Sequence, residues 1–342
     1  MAKYGLATSD ANVKKLYDEN LFRDVIKEPF FSKLMSDDGT GIVHVKEDLS
    51  GKKGDQLYYP LRMRLAGAGV SGNQKLEGNE EALRDYQDSV SLERYRHGVR
   101  DDGDLTRQRA VYDVDEEAEL AIRDWGTEKI DSLCFTALEA TPTRVVYLDS
   151  SAAFAVHSTA ATALAALHAT NSKITLDFLS KMKTWAKTGG ARGIIPIKPI
   201  MVDGKPHYGL LVHPDVTCDL KLTSEYKSAM RDAETRGKDN PLFTGATAIY
   251  DSVIVYEHEN VSIGTNGSSV PYCKATLLGR QSLLWAWGRR PKVVYKEFDY
   301  DEEHGWAWTL TCGVKKPKFN SLDYGSIGVY LARAKTSDVT VA

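Results

Sequence analysis

"RMRLAGAGVSGNQKLEGNEEAL" (62–83) decides how the chain is read. Gly67, Gly69 and Gly72 spell G-x-G-x-x-G directly after a strand-like run, "QLYYPLRMRL" (56–65). In a dinucleotide-binding turn such glycines bring the backbone to a pyrophosphate at a helix N-terminus. That reading needs a helix to open after the third glycine. Here "NQKLEGNEEAL" follows, with another glycine at Gly78, and then "DYQDSVSLERYRHGVR" (85–100), where apolar and polar residues alternate as in a strand. Two alternating runs joined by a polar, glycine-rich segment predict an extended β-hairpin. Pro60 places its first strand at an edge.

The charges around this tip are of mixed sign. Glu77, Glu80 and Glu81 stand on one side with Lys75, and Arg94, Arg96 and Arg100 stand on the returning run. A long hairpin alone in water is marginal and needs a surface to lie on. Charges of both signs predict that this surface is another protein chain, with ion pairs fixing the register.

Outward from the hairpin, the chain reads as mixed α and β. "GIVHVKED" (41–48) alternates like a strand. An amphipathic pattern over 10–35 carries Leu16, Leu21, Val25 and Ile26 and is interrupted at Pro29. The strongest helix signal is 100–140, with Val114, Ala118, Ala121, Ile122, Trp125, Lys129, Ile130, Leu133, Cys134 and Leu138 at three/four spacing. It predicts one helix of ~35 residues, ~50 Å long, capped by Asp104, bent at Gly126 and stopped before Pro142. Further on, 174–190 reads as a helix closed by glycine, 193–214 as strands around "VDGK", and 215–233 as a helix after Pro214. The stretch 240–261 reads as a loop and strand, and 271–335 as β-rich.

Composition excludes several function classes. The 342 residues are 42% hydrophobic and 27% charged, enough for real cores. A net charge of −3 gives no overall field for holding nucleic acid. Cys134, Cys218, Cys273 and Cys312 form no C-x-x-C pair and read as reduced, mostly buried thiols. The N-terminus has no apolar signal core. Residues 150–172 carry no formal charge, but the segment is Ala, Ser and Thr with two histidines, so a small-residue helix or linker is expected rather than a membrane span. No zincin, hydrolase or P-loop motif occurs. His213, before Pro214, reads as a structural histidine. Asp299, Asp301, Glu302, Glu303 and His304 lack calcium-loop spacing and read as a solvated turn. No catalytic residue, cofactor or metal is expected.

The order of N-terminal arm, long hairpin, long helix, mixed unit and β-rich return resembles the major capsid protein family of tailed phages. Within it, the sequence is most similar to the N-four-like podovirus group. The residues that carry the resemblance are 16–83 and "RHGVRDDGDLTRQRAVYDVDEEAELAIRDW" (96–125), with "GLLVHPDVTCDLK" (209–221) and "LFTGATAIYDSVIVYE" (242–257). It implies an α+β, Hong Kong-type coat fold shared with herpesviruses. The implied parts are an N-arm (1–40), an E-loop hairpin (41–103), and a P-domain made of a spine-helix segment (104–150) and a return (274–342). An A-domain (151–273) completes them.

It further implies a virion shell of hexamers and pentamers around double-stranded DNA, assembled in the bacterial host cytoplasm without any membrane. Scaffolding would be a separate protein or unnecessary, with portal and decoration proteins as further partners. The E-loop residues Gly67, Gly69, Gly72, Lys75, Glu77, Glu80, Glu81, Arg94, Arg96 and Arg100 become inter-subunit contacts, the glycines passing close to a neighbour's backbone. Lys75 raises an isopeptide bond to a neighbour, though an exposed tip lysine is usually just solvated. Another virion part, in decoration or tail, or an oxidoreductase using 67–72, are the alternative readings.

Overall fold

The computed structural model describes residues 30–47, 54–62, 65, 67–83, 85–110, 113–189, 195–202, 204–228 and 249–334. The amphipathic pattern before Phe30 and the loop expected at 240–248 lie outside the described residues. In chain order, β1 is Met35–Ser36, β2 Val43–Lys46, β3 Gln56–Arg62, β4 Asp85–Ser91 and β5 Glu93–Arg100. Helices α1 (Asp104–Arg109) and α2 (Val114–Glu139) follow, then β6 (Val145–Leu148), β7 (Phe154–His157), α3 (Ala160–Ala165) and α4 (Leu176–Thr188). Next come β8 (Ile200–Val202), β9 (Lys205–Val212), α5 (Pro214–Leu222), β10 (Ile249–Tyr250), β11 (Val253–Glu257), β12 (Ile263–Thr265) and β13 (Pro271–Leu278). The chain closes with β14 (Leu283–Phe298), β15 (Glu303–Lys315), β16 (Lys318–Phe319), β17 (Leu322–Asp323) and β18 (Ser326–Ala332).

The described residues form two compact units. The first comprises 94–129 and 291–310, and the second the remainder. In the first, β5 pairs beside β15, which pairs beside β14. The start of α2 lies against this ribbon through Trp125 and Trp308, whose rings meet edge to face at 5.5 Å. The expected single helix of ~35 residues is instead two. Asp113 is the reason: its Oδ1 accepts from the backbone N–H of Asp115 (3.0 Å) and Glu116 (3.4 Å), capping α2 afresh. With 26 residues, α2 is about 39 Å long. Gly126 answers to packing rather than bending: a Cβ there would lie 2.4 Å from Trp308 Nε1. The absence of a side chain lets the indole approach the helix backbone.

The second unit is built on a nine-stranded mixed sheet in the order β10-β11-β9-β13-β18-β6-β7, with β12 beside β13 and β8 beside β9. Its central strands are continuous apolar runs: Leu210, Leu211, Val212, Leu277, Leu278, Val329 and Leu331 are all at most 2% exposed, as strands covered on both faces require. β6 pairs with β18 on one side and with β7 on the other. The Ala/Thr segment becomes β7 and α3, and Ala163 and Leu167 pack with Val145, Tyr330 and Ala332. Small residues let α3 sit close to the sheet. Among the described residues no helix is long and apolar enough to cross a membrane.

Several local expectations hold. Gly189 closes α4 at φ 77°, and Thr175, which the sequence reading did not single out, caps its start by accepting from Phe178 N at 3.2 Å. β8 and β9 pair antiparallel around Gly204. Pro214 opens α5, with His213 Nδ1 accepting from Asp215 N at 3.2 Å. Cys134, Cys273 and Cys312 are buried and Cys218 is exposed, all as free thiols. Burial pushes the Cys273 and Cys312 thiols up to about 12, so neither is a nucleophile near neutral pH.

Candidate assembly interface

The hairpin is real, and its two halves behave differently. β3 and β4 pair antiparallel from Gln56↔Ser91 to Arg62↔Asp85. At the base, Tyr59 and Val90 are buried against Leu284, Ala286, Phe319 and Tyr324 of the same chain, with Leu57, Leu61 and Tyr86 at the margin. This corrects the expectation that the hairpin lacks a surface of its own: its base folds on its own chain. Asp88 fastens it there, accepting from Tyr59 Oη (2.7 Å), Lys315 Nζ (2.5 Å) and Lys318 N (2.9 Å). Burial pushes the Asp88 carboxyl up, but these donors outweigh it and hold it below the ordinary carboxylate value. Burial, with the Asp88 carboxylate behind it, pushes the Tyr59 phenol well up.

The tip is different. Every residue from Ser71 to Leu83 is exposed. Leu65, Leu76 and Leu83 are 60%, 59% and 59% exposed, which is costly for leucine unless something covers it. The tip is nonetheless locally organised. Gly67 N donates to Glu81 Oε2 (2.6 Å), Gly78 N to Glu80 Oε2 (2.7 Å) and Asn79 Nδ2 to Lys75 O (2.9 Å). Gly69 and Gly72 have φ of 68° and 65°, and among the described residues, their own chain neighbours aside, nothing lies within 4 Å of where a Cβ would stand. No helix opens between Gly72 and Leu83, and the preceding strand is antiparallel to its partner. The dinucleotide alternative therefore lacks both its helix and its parallel βαβ unit.

Arg94, Arg96 and Arg100 are not on the hairpin. The ladder closes at Leu92, whose N–H donates to Asp55 O at 2.7 Å, and the chain continues as β5 in another sheet. The signal was in the sequence. Tyr86, Val90 and Leu92 hold even positions, whereas Tyr95, His97 and Val99 hold odd ones, and that switch of face marks a strand boundary. Arg94 Nε donates to Thr309 Oγ1 at 3.4 Å. Arg100 pairs with Glu303 and lies 4.5 Å over the Phe298 ring.

The acidic run near His304 is partly structural. Ligand-type atoms of Asp101, Asp115 and His304 lie within 4.8 Å of one another. Asp101 Oδ1 accepts from His304 N at 2.5 Å, and His304 Nδ1 is 3.7 Å from Asp115 Oδ2. The trio ties β15 to the residues after β5 and to the first turn of α2. Sequence reasoning grouped His304 with its neighbours at 299–303 and missed these two aspartates, because both come from distant segments.

A family model described as phage capsid protein matches residues 6–335. The chain belongs to that family. The major capsid protein of Pseudomonas phage KPP25 is 27% identical over 362 aligned positions, covering 93% of this chain and 95% of that protein. Among solved structures, the Cyanophage Pam1 capsid superposes with a TM-score of 0.84 at 23% identity, over 98% of this chain and 100% of that one. The capsid of Ralstonia phage GP4 gives 0.79 at 21% identity, over 97% and 99%. This capsid protein thus has the Hong Kong-type coat fold, and its place is the virion shell of a tailed phage, as a major capsid protein that assembles into multimers.

Proposed function

We propose that the capsid protein closes into hexamers and pentamers around double-stranded DNA, with the hairpin tip 65–83 covering a neighbouring copy. Residues 1–40 would act as the N-arm, 41–103 as the E-loop region, 104–150 with 274–342 as the P-domain, and 151–273 as the A-domain. A single chain that tiles a closed shell must offer heterologous contacts as well as rings. The observation that carries this reading is the contrast within one hairpin. Its base is buried on its own chain, while its tip holds a defined shape and leaves three leucines in water. A shape kept without a covering surface is one prepared for a partner, since pre-ordering lowers the cost of binding. A separate scaffolding protein, a portal and decoration proteins are the further partners proposed, with assembly in the host cytoplasm.

Replacing residues 70–79 by a Gly-Ser turn tests it. The far-ultraviolet spectrum and subunit solubility stay as in wild type, and electron microscopy shows no shells. Normal shells from the tipless chain would refute the role given to the tip.

A further inference from the structure

Three side chains from distant parts of the sequence meet in the first unit. Asp101 follows β5, Asp115 is the second residue of α2, and His304 is the second residue of β15. One ligand-type atom from each lies within 4.8 Å of the other two. Backbone hydrogen bonds hold all three positions. Asp101 N donates to His304 O at 3.0 Å and His304 N donates to Asp101 Oδ1 at 2.5 Å, which locks these two residues side by side. Asp113 Oδ1 accepts from Asp115 N at 3.0 Å and fixes the first turn of α2. The imidazole is set against the rings of Tyr295 (5.3 Å) and Trp306 (6.1 Å). Its side chain is 14% exposed and that of Asp115 47%, so the cluster is sheltered at the ring and open to solvent at the carboxylate.

We propose that Asp101, Asp115 and His304 bind one divalent transition-metal ion of the zinc class, which staples the start of α2 and the end of β5 to β15. The donor set carries the choice of ion. Two carboxylates neutralise a dication, and an imidazole nitrogen favours zinc or cobalt over calcium and magnesium, which take oxygen ligands. Zinc stands about 2.1 Å from such atoms, so neighbouring ligands lie about 3.4 Å apart around a tetrahedron. His304 Nδ1 and Asp115 Oδ2 are already 3.7 Å apart. Closing the set takes side-chain shifts of about 1 Å on a fixed backbone, and water fills the fourth position. A histidine–aspartate ion pair would use only one of the two acids. The second adds like-charge repulsion, which a dication removes. The histidine that ends "FDYDEEH" (298–304) thus finds its carboxylates at 101 and 115 rather than within that run. The site lies within a single chain and stands or falls apart from the role of the tip.

The test uses the full-length unassembled subunit, stripped with a chelator and dialysed against zinc chloride. Elemental analysis should count one more zinc per chain in wild type than in His304→Ala. The melting temperature of wild type should rise by about 5–10 °C at free zinc a hundred-fold above its dissociation constant. Asp101→Asn and Asp115→Asn preserve side-chain shape, and at 101 the amide oxygen still accepts from His304 N. Each should melt near the metal-free wild type and lose most of the zinc response. Cobalt(II) should give wild type, but not these variants, the visible absorption of a tetrahedral site.

Equal zinc content in wild type and all three variants would overturn the site, because the metal would then sit elsewhere. So would a wild-type melting temperature that zinc leaves unchanged. Stability that responds to acid but not to zinc, and loses that response in Asp115→Asn, would assign the trio to a proton-held ion pair instead.

Discussion

Lys316 offers the sharpest test of how the core holds α2 in place. It is 4% exposed, and its Nζ donates to Ala140 O (2.8 Å) and reaches Leu138 O (3.5 Å) and Asp323 Oδ2 (3.2 Å). The last turn of α2 carries no basic residue of its own, so a lysine from the following ribbon satisfies carbonyls the helix leaves open. Burial lowers the Lys316 pKa, and the Asp323 carboxylate opposes that shift. Lys316→Met keeps most of the volume and removes the charge. It strands Asp323, which is 0% exposed and keeps the Thr143 N–H at 2.8 Å. Breaking one side of a buried pair costs about 3–5 kcal/mol. The nearby Arg144 guanidinium still acts on Asp323, so the lower end, ~3 kcal/mol, is expected. At about 2–4 °C per kcal/mol, that lowers the melting temperature of the unassembled subunit by ~6–12 °C. Adding Asp323→Asn removes the stranded charge while its amide oxygen still accepts from Thr143, and about half the loss returns. Scanning calorimetry reads both variants. A Lys316→Met subunit melting within ~1 °C of wild type would refute the reasoning.

Three further outcomes follow from other contacts. Gly126→Ala in an ordinary helix interior gains about 1 kcal/mol. Here the new methyl would meet Trp308 at 2.4 Å, so denaturant titration should show a net loss of ~1 kcal/mol or more, and any stabilisation contradicts the packing described. Asp131, 5% exposed, accepts from the N–H of Phe30 (2.7 Å) and Phe31 (3.2 Å). Asp131→Ala should cost ~1–3 kcal/mol and raise proteolysis near residue 30, whereas an unchanged cleavage pattern denies the anchor. Asp88 has its pKa lowered on folding, so the stability it contributes is full above the ordinary Asp value and fades as pH falls through its depressed one. Hydrogen exchange in β3 and β4 should accelerate below about pH 4, and Asp88→Asn should remove most of that pH dependence. Equal pH profiles for the two chains would count against the clasp.

Much of this architecture is legible in the residues. Period-two alternation marks β3 and β4, and three/four spacing marks α2. Gly189 and Pro214 place one end each of α4 and α5 because capping is local chemistry. What escapes is decided by distant partners. Gly126 looks like a bend until Trp308 is seen to need the space. Asp113 competes with a continuous helix only through its own cap, a signal present but outweighed by the apolar stripe. The Ala/Thr segment at 151–170 has too few large side chains to show periodicity, and β6 and β18 give it a partner. For the interface, the tip glutamates are readable as an acidic group. The arginines are readable as basic, and the only mark of their separate strand is the one-residue face switch after Leu92, a weak signal beside the continuous alternation on either side.

Assembly depends on a tip that one copy alone leaves uncovered. Cryo-electron microscopy of the expressed protein, with and without its phage's scaffolding protein, should show closed shells of hexamers and pentamers, with density for residues 65–83 lying on an adjacent subunit. Monomers under all conditions, or shells in which the tip touches only its own chain, would contradict it.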